Sequence, residues 1–150
     1  MSKRILVSSL VGVVVVGGVT AGGLAVASAT ATELTLENSS ARYVAPTDAK
    51  AGSFTFTADV SDDSGVKSLK VLTWPKSSKL DPSEAEMRHV ESATCKSTSD
   101  ETSRCTYTVR VTKEEVAELG EGIWYVSALA TAKDGDTKYV PRATTFEVTG

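Results

Sequence analysis

Residues 122–136 read GIWYVSALATAKDGD, and this stretch has the strongest two-residue period in the chain. Apolar side chains occupy every second position, whereas a helix would place the apolar residues of this stretch all round its cylinder. The alternation predicts a strand with one face on a core, followed by a hairpin turn at Asp134-Gly135-Asp136. The face predicted to be buried consists of Trp124, Val126, Ala128, Ala130 and Ala132.

Six further segments carry strand patterns separated by short turns, which is typical of a sandwich or a barrel. The predicted strands are 33–45 with an interruption at 38–40, 53–61, 66–74 with a bulge near Ser68, 90–95, 104–111 and 137–149. Two short helices are predicted between them, one over 82–89 with Asp81 as its N-cap and one after the capping box at 112–115. The inward positions would form one core from Leu34, Leu36, Phe54, Phe56, Leu69, Val71, Tyr107, Val109, Val111, Trp124, Val126 and Phe146.

The N-terminal region has the layout of a secretory signal peptide. Lys3 and Arg4 are basic, residues 5–26 carry no charge, and residues 25–31 offer three overlapping A-x-A cleavage sites. We therefore predict a signal peptide over 1–31, a mature domain over 32–150 and a secreted, extracellular protein. An uncleaved membrane anchor is the alternative, because the apolar run is long enough to span a bilayer.

Charge limits the classes of partner. Cleavage would remove Lys3 and Arg4 and take the formal net charge from −3 to −5. A moderately acidic domain has no electrostatic reason to bind nucleic acid or anionic lipid. We therefore expect no nucleic-acid partner, and membrane association only if the signal segment is retained.

Cys95 and Cys105 are the two cysteines, and a wholly polar loop separates them. Export makes their oxidation to a disulfide the expected state. A metal-binding pair is the alternative, but it needs further ligands at short spacing, and the chain has one histidine. That residue, His89, lies in a polar segment where nothing places a serine or an aspartate beside it, so we expect no catalytic role.

Two turns carry a resemblance to a known class of domain. The early turn DDSGV, residues 62–66, and the late turn AKDGD, residues 132–136, resemble turns of bacterial immunoglobulin-like domains. With its signal peptide and single cysteine pair, the whole chain also resembles a family of small secreted actinobacterial proteins classed as a domain of unknown function. The resemblance implies an all-β, immunoglobulin-like antiparallel β-sandwich of about seven strands with one or two short helical crossovers. It implies no catalytic residue.

The outward apolar positions are the candidate partner surface, since contiguous exposed apolar area marks interaction sites. They are Ile123, Tyr125, Leu129, Leu72 and Trp74. The alternative is that the last strand or the helix over 115–119 covers them.

Aspartates in the predicted turns are the candidate metal ligands. Asp59, Asp62, Asp63, Asp134 and Asp136 would form a Ca²⁺ site if they converged at one end of a sandwich. Aspartates also populate turns for local hydrogen bonding, so the prediction is that no metal binds.

These observations predict a secreted, non-catalytic binding or structural module without a cofactor. An extracellular protein or a component of the cell envelope is the expected partner. The alternative is a serine-protease inhibitor that presents the disulfide-bounded loop 95–105, in which Lys96 and Arg104 are the basic residues.

Overall fold

The computed structural model describes residues 33–150, so the predicted signal peptide, residues 1–31, lies outside the described residues. Residues 33–150 contain seven strands and two short helices. In chain order these are β1 (Thr35–Val44), β2 (Gly52–Ser61), β3 (Val66–Pro75), α1 (Glu84–Met87), β4 (Thr94–Ser97), β5 (Thr102–Val111), α2 (Lys113–Leu119), β6 (Gly122–Ala132) and β7 (Thr137–Val148).

The strands form two antiparallel sheets that face each other as a sandwich, which confirms the predicted fold class. One sheet has the order β1-β2-β5-β4 and the other the order β3-β6-β7. The stretch that predicted the fold is β6, and it is the central strand of the three-stranded sheet. The edge strands are β1 and β4 in the larger sheet and β3 and β7 in the smaller one; β4 has only four residues and β7 contains Pro141. Proline cannot donate to a ladder, so an edge strand is where it fits.

The core between the sheets follows the predicted alternation. The larger sheet contributes the inward face of β2, and the smaller sheet contributes β3 and β6, whose small alanines leave room for opposite phenylalanines. The buried residues of this core are Leu34, Phe54, Phe56, Ala58, Val60, Leu69, Val71, Cys105, Val126, Ala128, Ala130 and Ala132. Burial of this apolar surface is the main term that stabilises the sandwich.

Two β-bulges explain irregularities in the strand pattern. The predicted interruption at 38–40 is a bulge between Glu37 and Ser40, with Asn38 at a positive φ of 52°, so β1 continues through it. A bulge absorbs an extra residue without ending the strand. The predicted bulge near Ser68 is present as a register shift between Val66 and Ser68.

The crossover between β3 and β4 differs from the prediction. Its helix spans Glu84–Met87, shorter than 82–89, and its N-cap is Ser83 and not Asp81. Ser83 and Glu86 satisfy the reciprocal capping box, in which Ser83 Oγ accepts from Glu86 N and the Glu86 carboxylate accepts from Ser83 N.

The fourth strand also begins later than predicted, at Thr94 and not at Val90. The preceding residues pair with β3 of the other sheet: Val71 N donates to Glu91 O at 3.1 Å, and Ala93 N donates to Leu69 O at 2.8 Å. The chain thus covers an edge of the smaller sheet before it crosses to the larger one.

The sandwich has two distinct ends. At the loop end, the turns 62–65, 98–101 and 133–136 meet: Asp62 N donates to Glu101 O at 2.9 Å, and Lys133 N donates to Gly65 O at 3.0 Å. Gly65 is required there, because its φ is 91° and a Cβ would lie 3.3 Å from Asp100 O. At the helix end, α2 carries the chain from β5 to β6.

Candidate functional site

The helix end contains an apolar pocket of about 160 Å³ between the two sheets. We call it the helix-end pocket. Strands of both sheets and α2 line it, so its walls are built from residues distant in the sequence. The lining residues are Tyr43, Phe54, Thr73, Tyr107, Val109, Arg110, Val111, Glu115, Val116, Leu119, Trp124, Phe146 and Val148.

The helix α2 closes this pocket from one side. Thr112 caps it through the predicted capping box with Glu115, and Gly120 ends it at a φ of 87°. Val116 is the buried residue of the helix and packs with Trp124 and Val148 in a small apolar cluster separate from the main core. A seven-residue helix depends on such packing, because short helices are marginal alone.

Aromatic rings form the walls of the pocket, with Phe146 at their centre. Its ring centroid lies 4.4 Å from that of Phe54, 6.1 Å from that of Trp124 and 6.3 Å from that of Tyr43. The Phe54 and Tyr107 rings meet edge to face at 6.5 Å. Rings at these distances and tilts offer further offset and edge contacts to an inserted ring.

The rim of the pocket carries polar side chains, and the tyrosine hydroxyls that line the pocket stay protonated. Arg110 and Glu115 are exposed, and beside them Leu119 has 57% of its surface exposed. The Tyr107 hydroxyl donates to Glu91 Oε2 at 2.9 Å. Burial, with the bond to Glu91 and its negative charge, raises the pKa of Tyr107 to about 12. Burial also raises the pKa of Tyr43. These contacts of the helix-end pocket therefore favour the binding of an apolar group over the transfer of a proton.

The five residues of the candidate partner surface do not form one open face. Leu129 is 2% exposed and Trp74 is 3% exposed, Leu72 and Tyr125 are half-buried, and Ile123 is 43% exposed. The predicted alternatives for a cover were the last strand and the helix over 115–119. The last strand does provide part of the cover, through Arg142 of β7, whereas the other part comes from α1, which packs against β3 and β6.

Contacts on this outer face show how the cover is held. Met87 of α1 is completely buried, Thr137 Oγ1 donates to Glu84 Oε1 at 2.8 Å, and the Tyr139 hydroxyl donates to Pro82 O. On the same outer face, Trp74 Nε1 donates to Ser127 Oγ at 2.8 Å. The α1 segment therefore occupies part of the face that was the candidate partner surface.

A second part of the same surface is covered by an arginine. The Arg142 guanidinium lies 4.7 Å from the centroid of the Tyr125 ring and 5.9 Å from that of the Trp74 ring. Both separations are within the range of a cation–π contact. Of the five residues, Ile123 alone is left exposed.

The candidate metal ligands separate into two groups. One carboxylate oxygen from each of Asp62, Asp63 and Asp134 lies within 4.8 Å of the others at the loop end. Asp59 lies elsewhere, on β2, where its carboxylate accepts from Asn38 Nδ2 at 2.9 Å and from Arg104 Nε at 3.1 Å. These bonds hold the pKa of Asp59 below its usual value. Asp136 contributes its backbone N–H, which donates to Asp134 Oδ1 at 2.9 Å.

The disulfide between Cys95 and Cys105 is present, as predicted, and joins directly opposite residues of β4 and β5. The turn that it bounds is tight, because Thr98 N and Ser99 N both donate to Thr102 O. Lys96 and Arg104 lie opposite each other on the paired strands, outside that turn. The inhibitor alternative stays a prediction, and this hairpin does not present its basic residues in an extended loop.

The fold and site define a disulfide-containing all-β sandwich domain with an apolar pocket at one end. A family model matches residues 36–130, well over half of the chain, and the chain belongs to that family, a family of unknown function (DUF5707). The match extends from β1 into β6. Searches of the curated proteins and of the solved structures found no match. No helix within residues 33–150 has the length and apolar character needed to cross a membrane.

The pocket was not predicted, although about half of its lining residues were predicted core positions. Tyr107, Val109, Trp124 and Phe146 were all predicted to point inward. The available signal was the apolar pair of Val116 and Leu119 after the capping box, which indicates that one face of α2 packs on the sandwich.

Proposed function

We propose that this protein is a secreted, non-catalytic binding module with an immunoglobulin-like fold, and that it holds an apolar side chain of an extracellular protein partner in the helix-end pocket. The helix-end pocket carries this proposal. Its volume of about 160 Å³ is close to that of an engineered apolar cavity of about 150 Å³ that binds benzene. One ring therefore fits.

The strand order supports the immunoglobulin-like part of the proposal. Four strands in the order β1-β2-β5-β4 facing three in the order β3-β6-β7 correspond to the ABED and CFG sheets of constant-type immunoglobulin domains. The disulfide differs, because it lies within one sheet and does not join the two. Extracellular location is supported by the signal-peptide pattern of residues 1–31 and by a disulfide, which persists in oxidising compartments.

The composition of the rim supports a protein partner. An exposed Leu119 next to Arg110 and Glu115 gives an apolar contact surrounded by polar groups, which is the arrangement of a protein interface. A side chain anchored in a pocket is the kind of contact that dominates binding energy at such interfaces.

Toluene, which is the small-molecule analogue of the phenylalanine side chain, tests the pocket directly. Titration followed by methyl NMR should shift Val109, Val116 and Val148, which line the pocket, and leave the deep-core residue Val71 unchanged. For a ligand of this size we expect a Kd on the order of 1 mM.

Val116→Phe should fill the pocket and weaken toluene binding at least about tenfold without a loss of stability, because the new ring occupies existing space. Ile123→Ala is the matched control, since Ile123 is exposed and outside the pocket. Equal binding by Val116→Phe and the parent protein would contradict the proposal.

A further inference from the structure

An unsatisfied carboxylate oxygen is buried at the loop end, far from the helix-end pocket. Asp62 follows directly after β2 and is 1% exposed. Its Oδ1 accepts from Ser64 N at 2.9 Å and also from Ser64 Oγ. Its Oδ2 has no hydrogen-bond partner among residues 33–150 and is shielded from solvent. A buried polar atom without a partner is costly, and a charged one more so.

Two further carboxylates approach this buried group. Asp63 is the next residue of the same turn, and Asp134 comes from the turn between β6 and β7. One oxygen of each lies within 4.8 Å of an oxygen of Asp62. Ser64 holds the two turns together, because its Oγ accepts from Asp134 N at 3.1 Å.

Ion pairs of the described residues do not compensate this charge. Those that the structure shows join Arg104 to Asp59, Lys113 to Asp48 and Lys138 to Glu33. Lys133 is also at this end, and its methylene carbons lie beside Gly65. Three carboxylates this close repel one another unless a cation lies between them.

We propose that Asp62, Asp63 and Asp134 bind a Ca²⁺ ion at the loop end, with Asp62 Oδ2 as the inner ligand. Ca²⁺ takes oxygen ligands at about 2.3–2.6 Å, so two of its ligands can stand up to about 5 Å apart. The 4.8 Å limit on the three oxygens fits that span. Exposed Asp63 and Asp134 leave room for water to complete the coordination shell.

The geometry favours Ca²⁺ over Mg²⁺. Mg²⁺ requires nearly ideal octahedral ligands at about 2.0–2.1 Å and gives up its own water reluctantly. Two of the three carboxylates come from one turn and the third comes from another, and such a site tolerates the irregular, longer bonds of Ca²⁺ better. The ion would clamp the turn after β2 to the turn after β6, so binding should stabilise the whole sandwich.

Calorimetric titration and thermal unfolding of the metal-stripped protein test this site with CaCl2 as the probe. We expect one Ca²⁺ per chain with a Kd of about 0.1–1 mM, in the range of extracellular calcium modules. At 10 mM CaCl2 the Tm should rise by about 5 °C. MgCl2 at the same concentration should raise it less.

Asp134→Asn should weaken Ca²⁺ binding at least tenfold and abolish most of the rise in Tm. Asp136→Asn is the matched control, because it removes the same charge from the same turn but lies outside the three-carboxylate group. Both positions are exposed, so neither change threatens the fold. The proposal is overturned if the protein shows no saturable Ca²⁺ binding up to 10 mM, if both variants lose binding equally, or if NaCl of equal ionic strength reproduces the rise in Tm.

Discussion

Tyr107 shows how a single hydrogen bond joins two parts of the chain. Its ring lines the helix-end pocket and its hydroxyl donates to Glu91, in the segment that pairs with the edge of β3. The inward position of Tyr107 was predictable from the alternation of β5. Its partner was not, because the pairing of residues 91–93 with β3 depends on a long-range register that no local pattern records.

The raised pKa of Tyr107 gives a prediction about alkaline stability. The unfolded phenol titrates near pH 10 and the folded one near about 12, so its stabilising contribution is complete below pH 10 and is lost as the pH rises through 12. Tyr107→Phe should lower the free energy of unfolding by about 1 kcal/mol at pH 8. The difference from the parent should shrink above pH 10.

Denaturant titrations at pH 8 to 11.5 measure this difference. Glu91→Gln is the informative control, because it keeps the burial of the phenol and an acceptor for its hydroxyl but removes the negative charge that adds to the raised pKa. In that variant the loss should again begin near pH 10, where the unfolded phenol titrates, but it should be complete at a lower pH than in the parent, because the pKa of the folded phenol is raised less. A gap between Tyr107→Phe and the parent that stays constant up to pH 11.5 would show that the hydroxyl is not held neutral.

At the scale of elements, α1 is a cover and not a surface feature. Four residues cannot form a stable helix alone, so its contacts with β3 and β6 must hold it in place. The sequence analysis predicted a helix here from its cap signals. It did not predict that Met87 would be completely buried, because a helix of one turn has no periodicity to show which face is apolar.

Met87→Ala tests the cover. Truncation of a buried methionine should lower the free energy of unfolding by about 2–4 kcal/mol. It should also admit the quencher acrylamide to Trp74, which is 3% exposed on the same outer face, and leave Trp124 at the helix end protected. Arg88→Ala, at an exposed position of the same segment, should change neither quantity. Unchanged quenching in Met87→Ala would mean that Trp74 is protected by Arg142 and β7 alone.

At the scale of the molecule, the sandwich was predictable wherever a short stretch of sequence determines the structure by itself. The alternation in β2, β5 and β6 determines which face of each strand is buried, and the glycine and aspartate turns determine where strands end. Leu129 was a candidate for an open surface, with a cover as the alternative, because the residues that bury it lie in a distant segment. The pocket was not found because it reflects incomplete filling of the core near Trp124, which depends on three-dimensional packing.

Intact mass measured separately for the culture medium and the membrane fraction tests the predicted processing. We expect a medium form that starts between Ser28 and Thr32 and weighs about 2 Da less than its reduced sequence, because the Cys95–Cys105 bond removes two hydrogens. Treatment with a reductant should restore the missing mass. A full-length form confined to membranes would contradict secretion and make the domain a tethered one.

The direction of the outer strands has a mechanical consequence. Thr35, at the start of β1, pairs with Ser61 at the loop end, whereas Val148, at the end of β7, pairs with Gly122 at the helix end. Tension applied between Thr35 and Val148 therefore acts along the strands and shears the β1–β2 and β6–β7 ladders. Their hydrogen bonds bear the load together and do not open one by one, so the sandwich should extend little until it ruptures, at a force governed by its unfolding barrier.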